Sequence, residues 1–183
     1  LSIAANDSTW GLPPLPNDIF LPDTPFSYFQ SYGRKDARIF WGRNHDIRDF
    51  FQTLNTLEGN PLILLNGLSG VGKSSFLNAG ILPRLCEEQS IYLNLRSSAV
   101  EPWQAICQVF DLPPEAEPAQ LNQCWLEWEK QKALPLFIFF DQFEQLAYPE
   151  SNGALNDFCE KIGAALEERI RGLTGESAEA IKL

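Results

Sequence analysis

A glycine-rich loop between an apolar run and a helical pattern limits the architectures open to this chain more than any other stretch. The run Leu62–Leu65 is apolar without alternation, which is typical of a strand covered on both faces of a sheet. The loop follows from Gly67, and a helical pattern runs from Ser74 until it is disturbed near Pro83. A buried strand that leads through a short loop into a helix predicts a parallel α/β sheet.

The loop fits the pattern G-x-x-x-x-G-K-[ST] without a gap. Its glycines allow the backbone to curl, so that successive N–H groups and the helix N-terminus face phosphate oxygens. We expect Lys73 to bridge the β- and γ-phosphates of a nucleotide and the Ser74 hydroxyl to bind Mg²⁺. The predicted nucleotide-binding residues of the loop are Gly67, Leu68, Ser69, Gly70, Val71, Gly72, Lys73, Ser74 and Ser75.

Helical and strand-like patterns alternate along the rest of the chain. Apolar residues at helical spacing predict helices over residues 44 to about 59, 101–111, 118–132 and 153–171. Apolar runs predict two further strands, Ile91–Leu95 and Leu136–Phe140. Strands separated by helices imply βαβ crossovers. The predicted fold is therefore α/β, a P-loop NTPase with three α/β/α layers and a largely parallel sheet.

The strand Leu136–Phe140 leads directly into Asp141. Ligands of open α/β sheets bind at the carboxyl ends of the strands, so we expect Asp141 to hold a hydrated Mg²⁺. Hydrolysis also needs a base or a water-orienting group beside the γ-phosphate. Glu144 is the preferred base, and Gln142 is the alternative because an amide orients water without accepting its proton. Gln145 ranks behind both. With Lys73, Glu144 and Gln142 form the predicted catalytic set.

Composition and absent motifs exclude several classes of protein. Fourteen Lys and Arg against 24 Asp and Glu give a net charge of -10, which argues against direct nucleic-acid binding. The longest apolar run, Leu136–Phe140, is far shorter than the roughly 20 residues that span a bilayer, so no membrane partner is expected. The sequence lacks N-K-x-D, a D-x-x-G after the last strand and an LSGGQ-like signature. Adenine nucleotides are therefore favoured over guanine nucleotides, and an ABC ATPase is disfavoured.

The two ends of the chain differ in composition from its middle. Residues 1–32 carry five prolines, which predicts a linker or an arm docked on the core through Phe26, Tyr28, Phe29 and Tyr32. Residues 33–171 are the predicted nucleotide-binding domain, and residues 172–183 are a predicted frayed tail. The chain contains no Met and begins with Leu1, so we expect a piece of a longer protein. Its cysteines are widely spaced without a CxxC pair, which favours reduced thiols and a cytoplasmic location.

Three motifs together resemble the novel STAND NTPases. They are Phe40-Trp41-Gly42-Arg43, the loop Gly67–Ser75 with its helix through Leu85, and Asp141-Gln142-Phe143-Glu144-Gln145. The resemblance covers about residues 26–150 and implies that Arg43 lies near the adenine or ribose of a bound nucleotide. The sequence departs from the family at Gln145, where a second Glu is usual. That departure leaves the identity of the water-activating acid open.

The resemblance also implies a function. Proteins of this kind are signalling switches in which ATP exchange or hydrolysis converts a closed monomer into an open oligomer, and many bacterial members resemble stress or phage-defence proteins. The implied partners are ATP or ADP, and protein partners or further copies of the chain through regions outside this segment. The broad class also has a later strand with a polar sensor residue, so we expect an incomplete nucleotide domain here.

Our leading hypothesis is a switch module that binds Mg-ATP and hydrolyses it slowly. A second hypothesis is an interaction module in which ATP or ADP is only a structural ligand that fixes one conformation. The altered acidic motif and the missing strand favour that second hypothesis. A small-molecule kinase would need a substrate pocket and an Arg-rich lid, and a lid is not evident among 14 basic residues.

Overall fold

The computed structural model describes residues 11–24, 30–55, 62–96, 100–147 and 153–180. The chain divides into two compact units. The first comprises residues 1–58 and 62–87, and the second comprises residues 59–61 and 88–183.

The regular elements described in the first unit are helices. A 3₁₀ helix spans Arg34–Ile39, α1 spans Asn44–Asn55 and α2 spans Lys73–Ser75. After α2, the chain continues without a break as a π-helical segment over Phe76–Ile81 and a 3₁₀ turn over Leu82–Arg84. Pro83, which has no N–H to donate, stands in that last turn. The predicted helix after the glycine-rich loop is therefore confirmed, with its disturbance at the predicted place, while the predicted end of α1 near residue 59 lies outside the described residues.

The π-helical segment packs closely on α1. Ile47 of α1 is fully buried, and a Cβ placed on Gly80 would lie 3.2 Å from two of its side-chain carbons. Phe50 and Phe76 meet edge to face, with their ring centres 5.9 Å apart. Edge-to-face contacts of this kind add to the stabilisation that comes from burying the rings. The helix that follows the glycine-rich loop is thereby fixed against α1.

Part of the N-terminal segment also packs on the first unit. Leu12 and Ile19 are buried, and the Ile19 carbonyl accepts a hydrogen bond from the Arg38 guanidinium. The ring of Tyr32 lies 5.9 Å from that of Phe40. These contacts favour a docked arm, although Phe26, Tyr28 and Phe29 lie outside the described residues. The domain boundaries at residues 32 and 171 stay a prediction.

The segment before the glycine-rich loop differs from the prediction. Residues 62–68 do not form a strand, and Leu62 and Leu64 are 66% and 77% exposed. The described residues of the first unit contain no strand with which this segment could pair. The predicted buried strand Leu62–Leu65 is therefore wrong, because an unbroken apolar run indicates a tendency to be buried but does not provide a partner strand.

Within its described residues, the second unit is a mixed α/β structure. Its elements are β1 (Ser90–Asn94), α3 (Pro102–Val109), α4 (Pro118–Lys132), β2 (Phe137–Asp141) and α5 (Ala154–Ala180). The two strands pair in parallel, with Ser90 opposite Phe137 and Asn94 opposite Asp141. Because α3 and α4 separate them in the chain, the strands form the predicted parallel crossover. The sheet has two strands in the described part of the chain, and α5 continues past residue 171, where the sequence predicts its end.

The core of the second unit lies against the end of β2. Phe158 of α5 is 2% exposed and packs against Phe140 and Phe143, with ring centres 5.0 and 5.9 Å away. The buried indole N–H of Trp103 donates to the Ala116 carbonyl at 3.1 Å, so its polar atom is satisfied. Phe140 and Phe143 stand on either side of Asp141 in the chain. Because both pack on Phe158, they fix the backbone of Asp141 between them.

Candidate functional site

The glycine-rich loop uses conformations that only glycine adopts readily. Gly70 and Gly72 have φ values of 79° and 92°, in the left-handed region. The Phe76 N–H donates to the Gly72 carbonyl at 2.8 Å, so Gly72 is the N-cap of the helix that begins at Lys73. A Cβ built on Gly70 or Gly72 would meet no atom within 4 Å. The backbone beside these two glycines therefore faces open space that a ligand can enter.

The Lys73 ammonium folds back on the loop that precedes it. Its Nζ donates to the carbonyl of Gly67 at 2.9 Å and to that of Leu68 at 3.3 Å. These bonds place a positive charge beside the loop backbone. An ammonium has three N–H donors, so the two carbonyls do not use its full capacity. Lys73 therefore keeps donor capacity beside the loop, and its contact with phosphate stays a prediction.

The two serines after Lys73 lie in the first turn of the helix and are half-buried. The Ser74 carbonyl accepts a hydrogen bond from the Asn78 amide at 2.9 Å. The Ser75 hydroxyl accepts one from the Tyr32 N–H at 3.0 Å. Ser75 thus ties the N-terminal segment to the start of the helix. The Mg²⁺ role of the Ser74 hydroxyl stays a prediction.

Arg43 contacts the glycine-rich loop directly. Its guanidinium donates to the Val71 carbonyl at 2.9 Å and to the Asp46 carboxylate at 2.8 Å. Its own carbonyl accepts the Ile47 N–H at 2.9 Å, at the start of α1. Arg43 therefore connects α1 to the loop through the loop backbone, and its contact with a nucleotide stays a prediction.

In the second unit, Asp141 ends β2 with a carboxylate that is already held on both oxygens. The residue is 4% exposed. Its Oδ2 accepts a hydrogen bond from the Tyr92 hydroxyl at 2.5 Å, and its Oδ1 accepts one from the Gln142 N–H at 2.9 Å. Its carbonyl accepts the Leu95 N–H at 3.0 Å. Hydrogen bonds of this kind offset the cost of burying a carboxylate.

The two residues proposed as water-activating groups have different surroundings. Gln142 is half-buried and has a φ of 62°, a conformation that few residues with a side chain adopt. Its carbonyl accepts the Gln145 N–H at 3.0 Å, at the start of the 3₁₀ helix Phe143–Ala147. Glu144 lies in the first turn of that helix and is exposed. The choice between Gln142 and Glu144 stays open.

Sequence reasoning missed Tyr92. The register places Tyr92 opposite Phe139, two residues before Asp141, so Tyr92 and Asp141 share one face of the sheet. The local signal is the alternation along β1 of Ser90, Tyr92 and Asn94 with the apolar Ile91 and Leu93. That alternation indicates a shared face, but it does not reveal which residue of another strand lies beside it.

The Asp141 carboxylate has the chemistry of a ligand for a Mg²⁺ ion that arrives with a nucleotide. The part of the chain that the structure describes has no group of three or more His, Cys, Asp or Glu residues able to hold a metal unaided. Mg²⁺ needs no such cage, because it keeps several waters and binds through one or two carboxylates plus substrate phosphates. The Asp141 carboxylate of the second unit is an oxygen ligand of the kind that Mg²⁺ prefers, and binding of the ion stays a prediction.

Comparison with known protein families matches most of the chain to one family model. The family model described as Novel STAND NTPase 1 matches residues 25–181, which include the glycine-rich loop and Asp141. No curated protein and no solved structure matches the chain. Across the described ranges, no helix has the combination of length and apolarity that crossing a membrane requires.

Proposed function

The chain belongs to the novel STAND NTPase 1 family, and on that premise we propose that it is a switch module that binds Mg-ATP and hydrolyses it slowly. In this proposal, residues 67–75 bind the phosphates, and Ser74 and Asp141 bind hydrated Mg²⁺. The observation that carries the proposal is the geometry of the glycine-rich loop. Its left-handed glycines border open space, and the Lys73 ammonium lies against its backbone.

Lys73 supplies the main attraction for the phosphates. In the structure its ammonium is bound to the neutral carbonyls of Gly67 and Leu68. A phosphate oxygen carries a negative charge that a carbonyl lacks, so the ammonium gains Coulombic attraction when phosphate replaces a carbonyl. Exchange of these carbonyls for phosphate oxygens therefore favours binding of the nucleotide.

Arg43 supports the loop from outside. Its bond to the Val71 carbonyl fixes the peptide that precedes Gly72, and its ion pair with Asp46 orients the guanidinium. We include a contact between Arg43 and the adenine or ribose in the proposal. Glu144 or Gln142 then orients the attacking water.

The proposal extends to the fold and setting of the module. The parallel pairing of β1 and β2, with helices between them in the chain, supports a P-loop NTPase domain of three α/β/α layers. Its partners are ATP and ADP, and the switch acts in the cytoplasm through protein partners or self-association.

A second candidate function is binding of ATP or ADP without turnover. The observation that favours it is the residue after Asp141, which is Gln142 rather than a carboxylate, together with the exposure of Glu144. An amide cannot serve as a general base, so the site then retains a nucleotide that only fixes one conformation.

Phosphate release from Mg-ATP tests the proposal and separates the two candidates. We expect slow, Mg²⁺-dependent turnover that Lys73→Ala lowers by at least about tenfold, since the variant loses the cation on the β- and γ-phosphates. Asp141→Asn should lower turnover more than ATP affinity, because it removes a charged Mg²⁺ ligand. Lys35→Ala, which removes an exposed lysine of the same unit, is the matched control.

Each alternative outcome has a clear meaning. Tight ATP binding without phosphate release would favour the non-hydrolysing module. Turnover that is equal in the wild type and in Lys73→Ala would contradict the proposed role of the loop.

A further inference from the structure

Tyr92 and Asp141 form a contact between the two strands of the sheet. The Tyr92 hydroxyl donates to Asp141 Oδ2 at 2.5 Å across 49 positions of sequence. Short O–H···O⁻ bonds of this length are charge-assisted and are stronger than neutral hydrogen bonds. The contact therefore restrains the Asp141 side chain and not only the sheet.

A second donor approaches the other oxygen of the same carboxylate. The Gln142 N–H donates to Asp141 Oδ1 at 2.9 Å, from a backbone that has a φ of 62°. A hydroxyl on one oxygen and an amide on the other fix the plane of the carboxylate. Asp141 is thus oriented before any ligand binds.

We propose that Tyr92 is a positioning residue for Mg²⁺, which acts by holding the Asp141 carboxylate in the orientation that the hydrated ion requires. This inference rests on the proposed function, in which Asp141 binds Mg²⁺ with the nucleotide. Partners that orient metal-binding carboxylates typically change metal affinity or activity by about 10- to 100-fold when they are removed. Tyr92 has the contact and the position for that role.

Tyr92→Phe tests the proposal because it keeps the ring and removes only the hydroxyl. We expect about tenfold weaker binding of Mn²⁺, used as a spectroscopic substitute for Mg²⁺, to the protein with a non-hydrolysable ATP analogue. Electron paramagnetic resonance of free Mn²⁺ measures this affinity without any turnover. In hydrolysis assays, the Mg²⁺ concentration for half-maximal rate should rise by a similar factor, while the KM for ATP at saturating Mg²⁺ stays within about twofold.

Ile91→Val is the matched control. Ile91 is the preceding residue of β1, and its side chain lies on the opposite face of the sheet from Tyr92. The substitution weakens the packing of the same strand without removing a contact of Asp141. Metal affinity that falls in Tyr92→Phe and holds in Ile91→Val supports positioning over a general loss of stability.

A double-variant comparison tests whether Tyr92 acts through Asp141. In an Asp141→Asn background, addition of Tyr92→Phe should change Mn²⁺ affinity by less than about twofold, because the charged ligand is already absent. An equal loss in both backgrounds would overturn the inference.

Metal binding by the wild type and by Tyr92→Phe separates the role of Tyr92 from the proposed function. Wild-type binding of Mn²⁺ and nucleotide that Tyr92→Phe leaves unchanged would overturn only the role of Tyr92. A wild-type protein that binds no metal in the presence of nucleotide would overturn both.

Discussion

Gln142 carries the clearest backbone strain beside Asp141. Its φ of 62° is in the left-handed region, where a residue with a Cβ is less stable by roughly 1–2 kcal/mol. We expect Gln142→Gly to raise the free energy of unfolding by about 0.5 kcal/mol, because relief of strain exceeds the extra entropy of glycine in the unfolded chain. Urea denaturation measures the change.

Gln145→Gly is the control for that prediction. Gln145 lies in the 3₁₀ helix Phe143–Ala147, which Gln142 precedes, and it is not among the described residues with positive φ. Glycine at this position should therefore lower the free energy of unfolding by roughly 0.5–1 kcal/mol. Equal destabilisation by both substitutions would show that the left-handed conformation is not a source of strain.

Turnover that survives Gln142→Gly would assign the water-orienting role to Glu144.

Cys107 gives the protein a predicted alkaline sensitivity. Burial raises the pKa of the Cys107 thiol, and the nearby Lys161 charge lowers it by a smaller amount. The unfolded thiol therefore loses its proton first as the pH rises above about 8.5, and the folded state loses stability over that alkaline range. Under reducing conditions, we expect the free energy of unfolding to fall less between pH 8 and about 10 in Cys107→Ala than in the wild type.

The exposed Cys86 provides the comparison for Cys107. Cys86→Ala controls for the loss of a cysteine side chain, because it removes a thiol that is exposed. Parallel pH curves for Cys107→Ala and the wild type would contradict the effect of burial on the Cys107 thiol.

At the level of elements, Glu129 joins three parts of the second unit. Its carboxylate accepts two hydrogen bonds from Arg169 of α5, at 2.8 and 2.7 Å, and one from the N–H of Leu136 at 2.9 Å, just before β2. The two charged side chains are only 17% and 16% exposed. We expect Glu129→Ala to lower the free energy of unfolding by about 3 kcal/mol, because it leaves Arg169 without its carboxylate.

An exposed ion pair on α5 is the control for Glu129. Asp157 lies 2.9 Å from Lys161, and both side chains are more than a third exposed. Asp157→Ala should therefore lower the free energy of unfolding by less than about 1 kcal/mol. Urea denaturation measures this change and that of Glu129→Ala. Similar costs for the two variants would contradict a special role of Glu129.

The sequence predicts the elements whose signals are local. The helical spacing in residues 118–132 and the apolar runs of β1 and β2 lead to the observed elements, because each pattern is contained within its own segment. The prediction is wrong at Leu62–Leu65, where strand formation depends on a partner that the run does not provide. In the described residues the sheet is parallel, as predicted, and has two strands where the sequence predicts three.

The same distinction applies to the candidate site. The motif nominates Lys73 and Ser74 from spacing alone, and an apolar strand nominates Asp141. The partner of Asp141 depends on the register of two strands, so Tyr92 had no local signal strong enough to find it. Arg43 is predicted only through the resemblance to a known family. Its bond to the Val71 carbonyl joins residues 28 positions apart, so no local pattern predicts that bond.

At the scale of the whole molecule, the net charge of -10 opposes the approach of a negatively charged nucleotide. A negative protein repels a polyphosphate at long range, so affinity must come from local groups such as Lys73 and from Mg²⁺, which reduces the charge of the nucleotide. The glycine-rich loop belongs to the first compact unit and Asp141 to the second.

Calorimetric titration with ATP, ADP and GTP, each with and without Mg²⁺, tests the central claim most directly. We predict binding that prefers adenine nucleotides, is strengthened by Mg²⁺ for ATP, and is weakened by at least about tenfold in Lys73→Ala but not in Lys35→Ala. Equal affinity of the wild type and Lys73→Ala for ATP, or no binding by a folded wild-type protein, would contradict the assignment of the glycine-rich loop as a nucleotide site.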